Sequence, residues 1–205
     1  MNLGTSNFHF SQYVQEKFDL ISCQFCLHYL FENEEMANNA FCNISDKLLD
    51  QGFVLITIPD ANVLIRRLRE KYPEAPLQEK YEIGNKYYSI QFSSLRFERN
   101  SPFGIKYNFY LEDGVGEKQI INDSTSKVNY VPEYLVETST LIKLAAKYGL
   151  ELVERQNFIN FFSAEKGKSV NSFLFQTFDD KFFQNDSAME KDLWDISNIY
   201  QIVVF

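Results

Sequence analysis

The sequence predicts an α/β fold in which helices cover both faces of a partly parallel sheet, a three-layer arrangement. Three observations carry this prediction. An apolar, β-branched stretch, "FDLISCQF" (18–25), is followed by an amphipathic helical stretch and then by a second apolar run, "FVLITIP" (53–59). That order is a β-α-β unit, which implies parallel strands joined by a right-handed crossover. The chain then closes on "SNIYQIVVF" (197–205), a strong strand that can pair antiparallel with the strand before it at one end of the sheet. With 205 residues, 45% hydrophobic and 16% aromatic, there is material for one domain with a real core over 1–205, and no internal repeat or linker divides it.

Each element has a local reason. "FDLISCQF" is apolar enough for a buried strand. "NEEMANNAFCNISDKLL" (33–49) is a helix: Asn33 can cap it, acids fill its first turn, and Met36, Ala37, Ala40, Phe41, Ile44 and Leu48 form one apolar face. Gln51-Gly52 turns the chain into "FVLITIP", which Pro59 stops. "ANVLIRRLREKY" (61–72) is another helix. Residues 73–100 read as irregular apart from a strand at "YYSIQF" (87–92), and "IKYNFYLED" (105–113) alternates as a strand. "DGVGEKQIINDSTSK" (113–127) is a polar loop. "NYVPEYLV" (129–136) is extended, because Pro132 disfavours helix before it. "STLIKLAAKYG" (139–149) is a helix ended by Gly149, "LELVERQNFINFF" (150–162) is a strand, and 164–190 is a surface insertion.

Charge and cysteines exclude several classes of function. The formal net charge is −8, so nucleic acid gains no bulk attraction, and any contact with RNA must be made at a specific pocket. No apolar run is long enough to cross a bilayer, and no basic-then-apolar start resembles a signal peptide, which makes a soluble intracellular protein the default expectation. Three cysteines are too few for a disulfide framework. Cys23 and Cys26 form half of a zinc or redox motif without a second pair, and His9 and His28 are not at finger spacing, so small packing residues are the expected role.

One stretch asks for more than packing. "FDLISCQFCLHYLF" (18–31) ends in Gln24, Phe25, His28 and Tyr29, within six residues at the end of a strand. Open α/β sheets bind ligands at the carboxyl ends of their strands, and Pro59 ends the second strand on the same edge. Each candidate also has an ordinary reading. Phe25 and Tyr29 serve equally as core aromatics, and a lone histidine beside a strand is commonly structural. Glu133 after Pro132 suits a solvated loop, Tyr200 can face the core by alternation, and "RRLREK" (66–71) suits a solvated helix face.

The segments "FDLISCQFCLHYLFENEE", "GFVLITIPDANVLIRRL", "FGIKYNFYLED", "VPEYLVE", "KLAAKYGLELVERQNFINFF" and "WDISNIYQIVVF" occur in this order from about residue 17 to 205. Together they resemble the eukaryotic mRNA cap guanine-N7 methyltransferase family; the Gln-Phe-x-x-His-Tyr core and the Pro-Glu-Tyr segment are its specific marks. The resemblance implies a Rossmann-like class I methyltransferase sheet and transfer of a methyl group from S-adenosylmethionine to guanine N7 of the capped mRNA 5′ end. It further implies that Phe25, His28, Pro59, Tyr107, Glu133 and Tyr200 line a guanine pocket and that Gln24 and Tyr29 touch S-adenosylmethionine. In that reading Tyr200 and Phe25 stack on the base, and Pro59 is a flat wall. Glu133 accepts from N1–H and the exocyclic amine, His28 donates to O6, and Tyr107 packs the base or a phosphate. The "RRLREK" face would then lie near the cap triphosphate. No metal and no membrane are implied, and a nuclear location follows because capping accompanies transcription.

The family pattern also calls for an upstream strand with an Asp-x-Gly-x-Gly-like turn, and here Gly4 stands alone in "MNLGTSNF". The expectation is therefore a methyltransferase domain that is N-terminally incomplete, with an exposed sheet edge, exposed apolar surface and weak stability by itself. A non-catalytic, methyltransferase-like cap-binding or stimulatory subunit is the competing reading, working with an activating partner or with the missing half. A class I methyltransferase for a small molecule is a third reading, which leaves Glu133 and "IYQIVVF" unexplained.

Overall fold

Strand β2 (Leu48–Pro59) is the organising element of the first sheet. The computed structural model describes residues 15–205 except 75–76, 96, 98–100, 123–124 and 183–186, so Gly4 and His9 lie outside the described residues. β1 (Phe18–Gln24) pairs with β2 in parallel. On the other side of β2 runs β10 (Tyr200–Val204), antiparallel, followed by β9 (Glu154–Asn157), antiparallel to β10. The sheet order is β1-β2-β10-β9. The expected β-α-β unit and the antiparallel end are both present. β9 and β10 are neighbours without being a hairpin, because three helices lie between them in the chain.

The β-α-β crossover is helix α1 (Glu34–Lys47). Asn33 caps it, its side chain accepting from the Met36 N–H at 2.9 Å. Ala37, Ala40, Phe41 and Ile44 are buried against Val54, Ile56 and Ile58 of β2, together with Leu141, Leu144 and Ala145 of helix α3 (Thr138–Lys147). Burying each large apolar side chain of this set is worth about 1.5–3 kcal/mol. Gly149 ends α3 at φ +77°, the left-handed geometry that glycine adopts without strain.

β1 is not the buried strand its composition suggests. It is the sheet edge, and Cys23 alone of its side chains is fully buried. On the face away from α1, Leu20 stands opposite Phe53, and they are 57% and 50% exposed. The expected third layer is therefore partial among the described residues. Gln51-Gly52 is likewise not a turn before a strand: β2 starts at Leu48, and Phe18 pairs with Leu48 while Leu20 already pairs with Phe53, so the extra residues form a bulge with Gln51 at φ +66°.

A second, antiparallel sheet has the order β3-β4-β5-β8: β3 (Tyr81–Gly84), β4 (Tyr88–Phe92), β5 (Lys106–Leu111) and β8 (Val131–Tyr134). β8 is an edge strand, which is where Pro132 does no harm to the ladder. Helix α2 (Ala61–Lys71) starts at the end of β2, capped by Asp60, and packs Leu64 and Leu68 with Ile83, Tyr88, Ile90, Phe92 and Phe109 in a second core that also holds Ile199 and Tyr200. Arg67 on α2 joins the Tyr88 hydroxyl to Asp195, with 2.8 Å between its guanidinium and the Asp195 carboxylate.

Two stretches depart from the sequence reading. The loop expected at 113–127 contains a hairpin, β6 (Glu117–Asn122) and β7 (Thr125–Asn129). The strand expected over 150–162 stops at Asn157, whose side chain accepts from the Ile159 N–H and opens helix α4 (Phe158–Lys166). Beyond it, the expected surface insertion is largely helical: α5 (Ser172–Phe182) and α6 (Ser187–Ser197) follow, and Phe162 meets Phe175 at 5.0 Å and Trp194 at 4.7 Å between ring centres. Among the described residues no helix is long and apolar enough to cross a membrane.

Candidate functional site

The two sheets meet at one carboxylate. Glu133 on β8 stands directly across from Tyr107 on β5, and the two are 2% and 1% exposed. The Tyr107 hydroxyl donates to Glu133 Oε2 at 2.7 Å, and the Tyr29 hydroxyl donates to Oε1 at 2.9 Å. Hydrogen bonds to a charged acceptor are worth about 1.5–3 kcal/mol each, which offsets much of the cost of burying the carboxylate. His28 Nε2 is 3.3 Å from Oε1 but lies off the direction of a hydrogen bond, so neither ring nitrogen has an aligned partner among the described residues. A carboxylate has about four lone-pair sites. Two are engaged here, so acceptor capacity remains for further donors.

Beside the carboxylate lies an aromatic cluster from the first sheet. Phe25, at the end of β1 and 46% exposed, meets the Tyr200 ring edge-on at 5.0 Å and the Phe158 ring at 6.2 Å. Phe158 and Tyr200 are 5.8 Å apart. Pro59, buried at the end of β2, pairs in register with Tyr200. Electrostatics join the two halves. Burial and then the Glu133 charge push the Tyr29, Tyr107 and Tyr200 hydroxyls well above the usual phenol range. All three therefore stay neutral donors through the physiological range.

The backbone that presents Phe25 is unusual. Phe25 has φ +51°, a conformation non-glycine residues seldom adopt. Its N–H is held by Thr57, at 3.0 Å from both the hydroxyl and the backbone oxygen. Thr57 in turn donates to Gln24 Oε1 at 2.8 Å, and Gln24 Nε2 donates to Ser22 at 2.9 Å. This relay fixes the turn that carries Phe25 outward.

All eight residues singled out in the sequence sit on this rim. Phe25, Pro59 and Tyr200 share the aromatic half, while His28, Tyr29, Tyr107 and Glu133 share the carboxylate half. Gln24 lies at the exposed edge. The solvated-loop reading of Glu133 is excluded by its burial. Tyr107 is also too enclosed to meet a phosphate: its ring packs on Phe92 at 5.4 Å and its hydroxyl is committed to Glu133. Sequence reasoning missed Phe158, hidden in a run read as strand, and Thr57, whose signal was a hydroxyl in an otherwise apolar strand. The cysteines are a partial correction. Cys23 packs in the core as expected, but Cys26 is exposed, and a hydrogen bond with Cys23 brings its thiol down to about 7.

The fit to S-adenosylmethionine can be tested on Gln24 and Tyr29. Gln24 is exposed with its amide oriented by Thr57 and Ser22, and Tyr29 is half-buried with its hydroxyl on Glu133. They fit the edge of a ligand lying against the carboxyl ends of β1 and β2. Neither offers the ribose-binding carboxylate that such a cofactor calls for.

The first sheet is mixed, and an aromatic cluster and a buried carboxylate lie beside its strand ends, the edge at which open α/β sheets bind ligands. The sequence profile of the mRNA (guanine-N(7))-methyltransferase domain matches residues 6–205, and the chain belongs to that family. It is 39% identical over 160 residues to an mRNA cap guanine-N(7) methyltransferase of Candida glabrata, covering 76% of this chain and 34% of the relative. The corresponding Saccharomyces cerevisiae protein is 38% identical over 160 residues (76% and 33%), and mRNA cap guanine-N(7) methyltransferase 1 of Oryza sativa subsp. japonica is 34% identical over 196 residues (92% and 47%). The chain thus spans between a third and a half of the curated relatives it matches. A solved S-adenosylmethionine-dependent methyltransferase from Clostridium acetobutylicum superposes with a TM-score of 0.48 at 11% identity, covering 100% of this chain and 61% of that one.

Proposed function

We propose that this chain carries the guanine-binding part of an mRNA cap guanine-N7 methyltransferase, within a single partial methyltransferase domain over 1–205. The observation that carries the reading is the buried Glu133 carboxylate, held by two tyrosine hydroxyls and with acceptor capacity left over, beside the Phe25–Phe158–Tyr200 cluster. Guanine presents two adjacent donors, N1–H and the exocyclic amine, and a flat face. Adenine lacks that donor pair, so a carboxylate acceptor selects guanine. Stacking on exposed Phe25 adds about 1–3 kcal/mol per base. His28 stands beside Glu133, where a ring N–H suits O6. S-adenosylmethionine, when bound, supplies an electrophilic sulfonium methyl. Guanine N7 carries a free lone pair and no proton, so neither acid nor base is needed. The work of Phe25, Pro59, Tyr200 and Glu133 is to hold the base with N7 directed away from the carboxylate, which is catalysis by orientation. Gln24 and Tyr29 form the edge nearest the cofactor.

The reading carries a nuclear location with it, since nascent transcripts are capped there, and a need for further protein to complete the cofactor site, either the rest of the same domain or an activating subunit. The test is fluorescence titration of the 205-residue chain with GpppA and with ApppA. We expect GpppA to bind at least 10-fold more tightly, and E133Q to lose that preference, because one charged hydrogen bond is worth about 1.5–3 kcal/mol. Equal binding of the two dinucleotides by the parent chain would refute the proposal.

A further inference from the structure

The strand that leads into the guanine site ends between two thiols. Cys23 is buried and is fixed by its register with Ile56 of β2. Cys26 is exposed and stands at the start of a short 3-10 helix (Leu27–Glu32), where its side chain caps nothing. The two thiols hydrogen-bond to each other. Gln24 and Phe25 are the two residues between them, and both belong to the rim of the site. On its other side Cys26 stands close enough to Tyr29 for its charge to act on that hydroxyl, which in turn holds Glu133. The third cysteine, Cys42, is exposed on α1.

The pair is unequal. The bond from Cys23 brings the Cys26 thiol down to about 7, so a large share of it is thiolate at neutral pH. The bond to Cys26, and then burial, push the Cys23 thiol well above the ordinary range. An accessible thiolate in contact with a second, protonated thiol is the arrangement of an oxidisable cysteine and its resolving partner. The turn between them is also the least settled backbone of the site. Phe25 sits at φ +51°, kept there by the bonds from its N–H to Thr57 and by the Thr57–Gln24 bond behind it.

We propose that Cys26 and Cys23 are a reversible modification site for hydroperoxides, and that their disulfide withdraws Phe25 from the guanine site. The consequence for guanine rests on the proposed function; the disulfide itself does not. The Cys26 thiolate attacks one peroxide oxygen, the O–O bond breaks, and the other oxygen takes a proton and leaves as water. Cys26 is then a sulfenic acid. The Cys23 sulfur attacks the Cys26 sulfur, the S–O bond breaks as the S–S bond forms, and the departing hydroxide takes the Cys23 proton as water. The two thiols lose two electrons, and one hydrogen peroxide is reduced to two waters. The sulfurs must close to about 2.0 Å. Cys23 is held in its ladder, and Leu27 and His28 behind Cys26 are buried. The movement therefore falls on the turn at Phe25, and it breaks the bonds to Thr57 that hold the ring outward.

The test treats the 205-residue chain with hydrogen peroxide, removes the excess with catalase, and follows thiols, backbone and ligand together. Of the three free thiols, Cys42 alone should remain, and non-reducing peptide mapping should find Cys23 joined to Cys26. Hydrogen exchange at the Phe25 amide should speed up, because its bonds to Thr57 are lost. GpppA should bind about 10-fold more weakly, the scale of one lost base–aromatic stack. Dithiothreitol should reverse all three changes. C26S, with a thermal melt to establish that it folds, should keep its GpppA affinity before and after peroxide. C23S should stop at the Cys26 sulfenic acid, which dimedone labels, and equal labelling of the parent chain would overturn the resolving role of Cys23. Oxidation confined to Cys42, or a disulfide between two chains, overturns the pairing. A Cys23–Cys26 disulfide that leaves both Phe25 exchange and GpppA affinity unchanged overturns the switch. Should the reduced chain fail to bind GpppA, the guanine reading fails by itself. The thiol site is then sustained by the mapped disulfide together with faster Phe25 exchange, and overturned if either is missing.

Discussion

Removing one oxygen, in Tyr107→Phe, tests how the site is held. The ring of Tyr107 is fully packed and its hydroxyl has one role, a 2.7 Å bond to Glu133 Oε2 across the β5–β8 pair. Phenylalanine keeps the packing and creates almost no cavity, so the cost is that of a hydrogen bond to a buried charge, about 1.5–3 kcal/mol. In a protein of this length 1 kcal/mol shifts the melting temperature by about 2–4 °C, so a drop of about 3–12 °C is expected at pH 7. The assay is a thermal melt of parent, Y107F, E133Q and the double variant. The coupling energy between the two sites should exceed about 0.5 kcal/mol, because the phenol has no charged partner left once Glu133 is an amide. An unchanged melting temperature in Y107F, or strictly additive effects in the double variant, would refute the claim that Tyr107 stabilises the Glu133 charge. The truncation E133A is the poorer probe: it strands the buried Tyr107 phenol donor, at about 1–3 kcal/mol, as well as freeing the half-buried Tyr29 hydroxyl, and so confuses folding with binding.

Cys26 should be alkylated by iodoacetamide with a midpoint near pH 7, the rate rising with pH as the thiolate forms. C23A, which removes the thiol that donates to it, should move that midpoint toward the ordinary thiol range, and an unmoved midpoint would show that the Cys23 contact does not set it. Two left-handed glycines should respond differently to alanine. G149A meets nothing within 4 Å and should cost about 1–2 kcal/mol of backbone strain. G116A places its Cβ 2.3 Å from the Asn129 oxygen and should cost more, disturbing the end of the β6–β7 hairpin. Urea denaturation of both variants gives the ranking, and equal losses would contradict it.

The elements that sequence reveals well here are those whose own pattern decides them. α1 has a cap and an apolar face within its own residues, and β2 and β10 are apolar along most of their length. What stays hidden is decided by partners distant in the chain. β1 reads as buried because its residues are apolar, yet it is the sheet edge, and nothing in seven residues says how many neighbours a strand will have. α4 reads as strand because "NFINFF" is aromatic and β-branched. The Asn157 cap and the Phe162–Trp194 contact tip it to helix. At the site, residue types were legible but their pairing was not. The Tyr107–Glu133 bond comes from strand register between residues 26 apart, and the Tyr29–Glu133 bond spans 104. The hairpin at 117–129 is polar, so the composition of a loop and of a solvated hairpin coincide.

Phe25 sits in a conformation that suits glycine, and a phenylalanine there costs about 1–2 kcal/mol of backbone energy. Folding alone would improve if this position lost its side chain. The ring is thus held against the preference of its own backbone by Thr57 and Gln24, with almost half of its surface left in water. Variants selected only for thermostability are therefore expected to drift toward glycine or asparagine at position 25. Variants selected for function are expected to keep the ring, so that divergence between the two selections at this one residue separates what the fold prefers from what the activity requires.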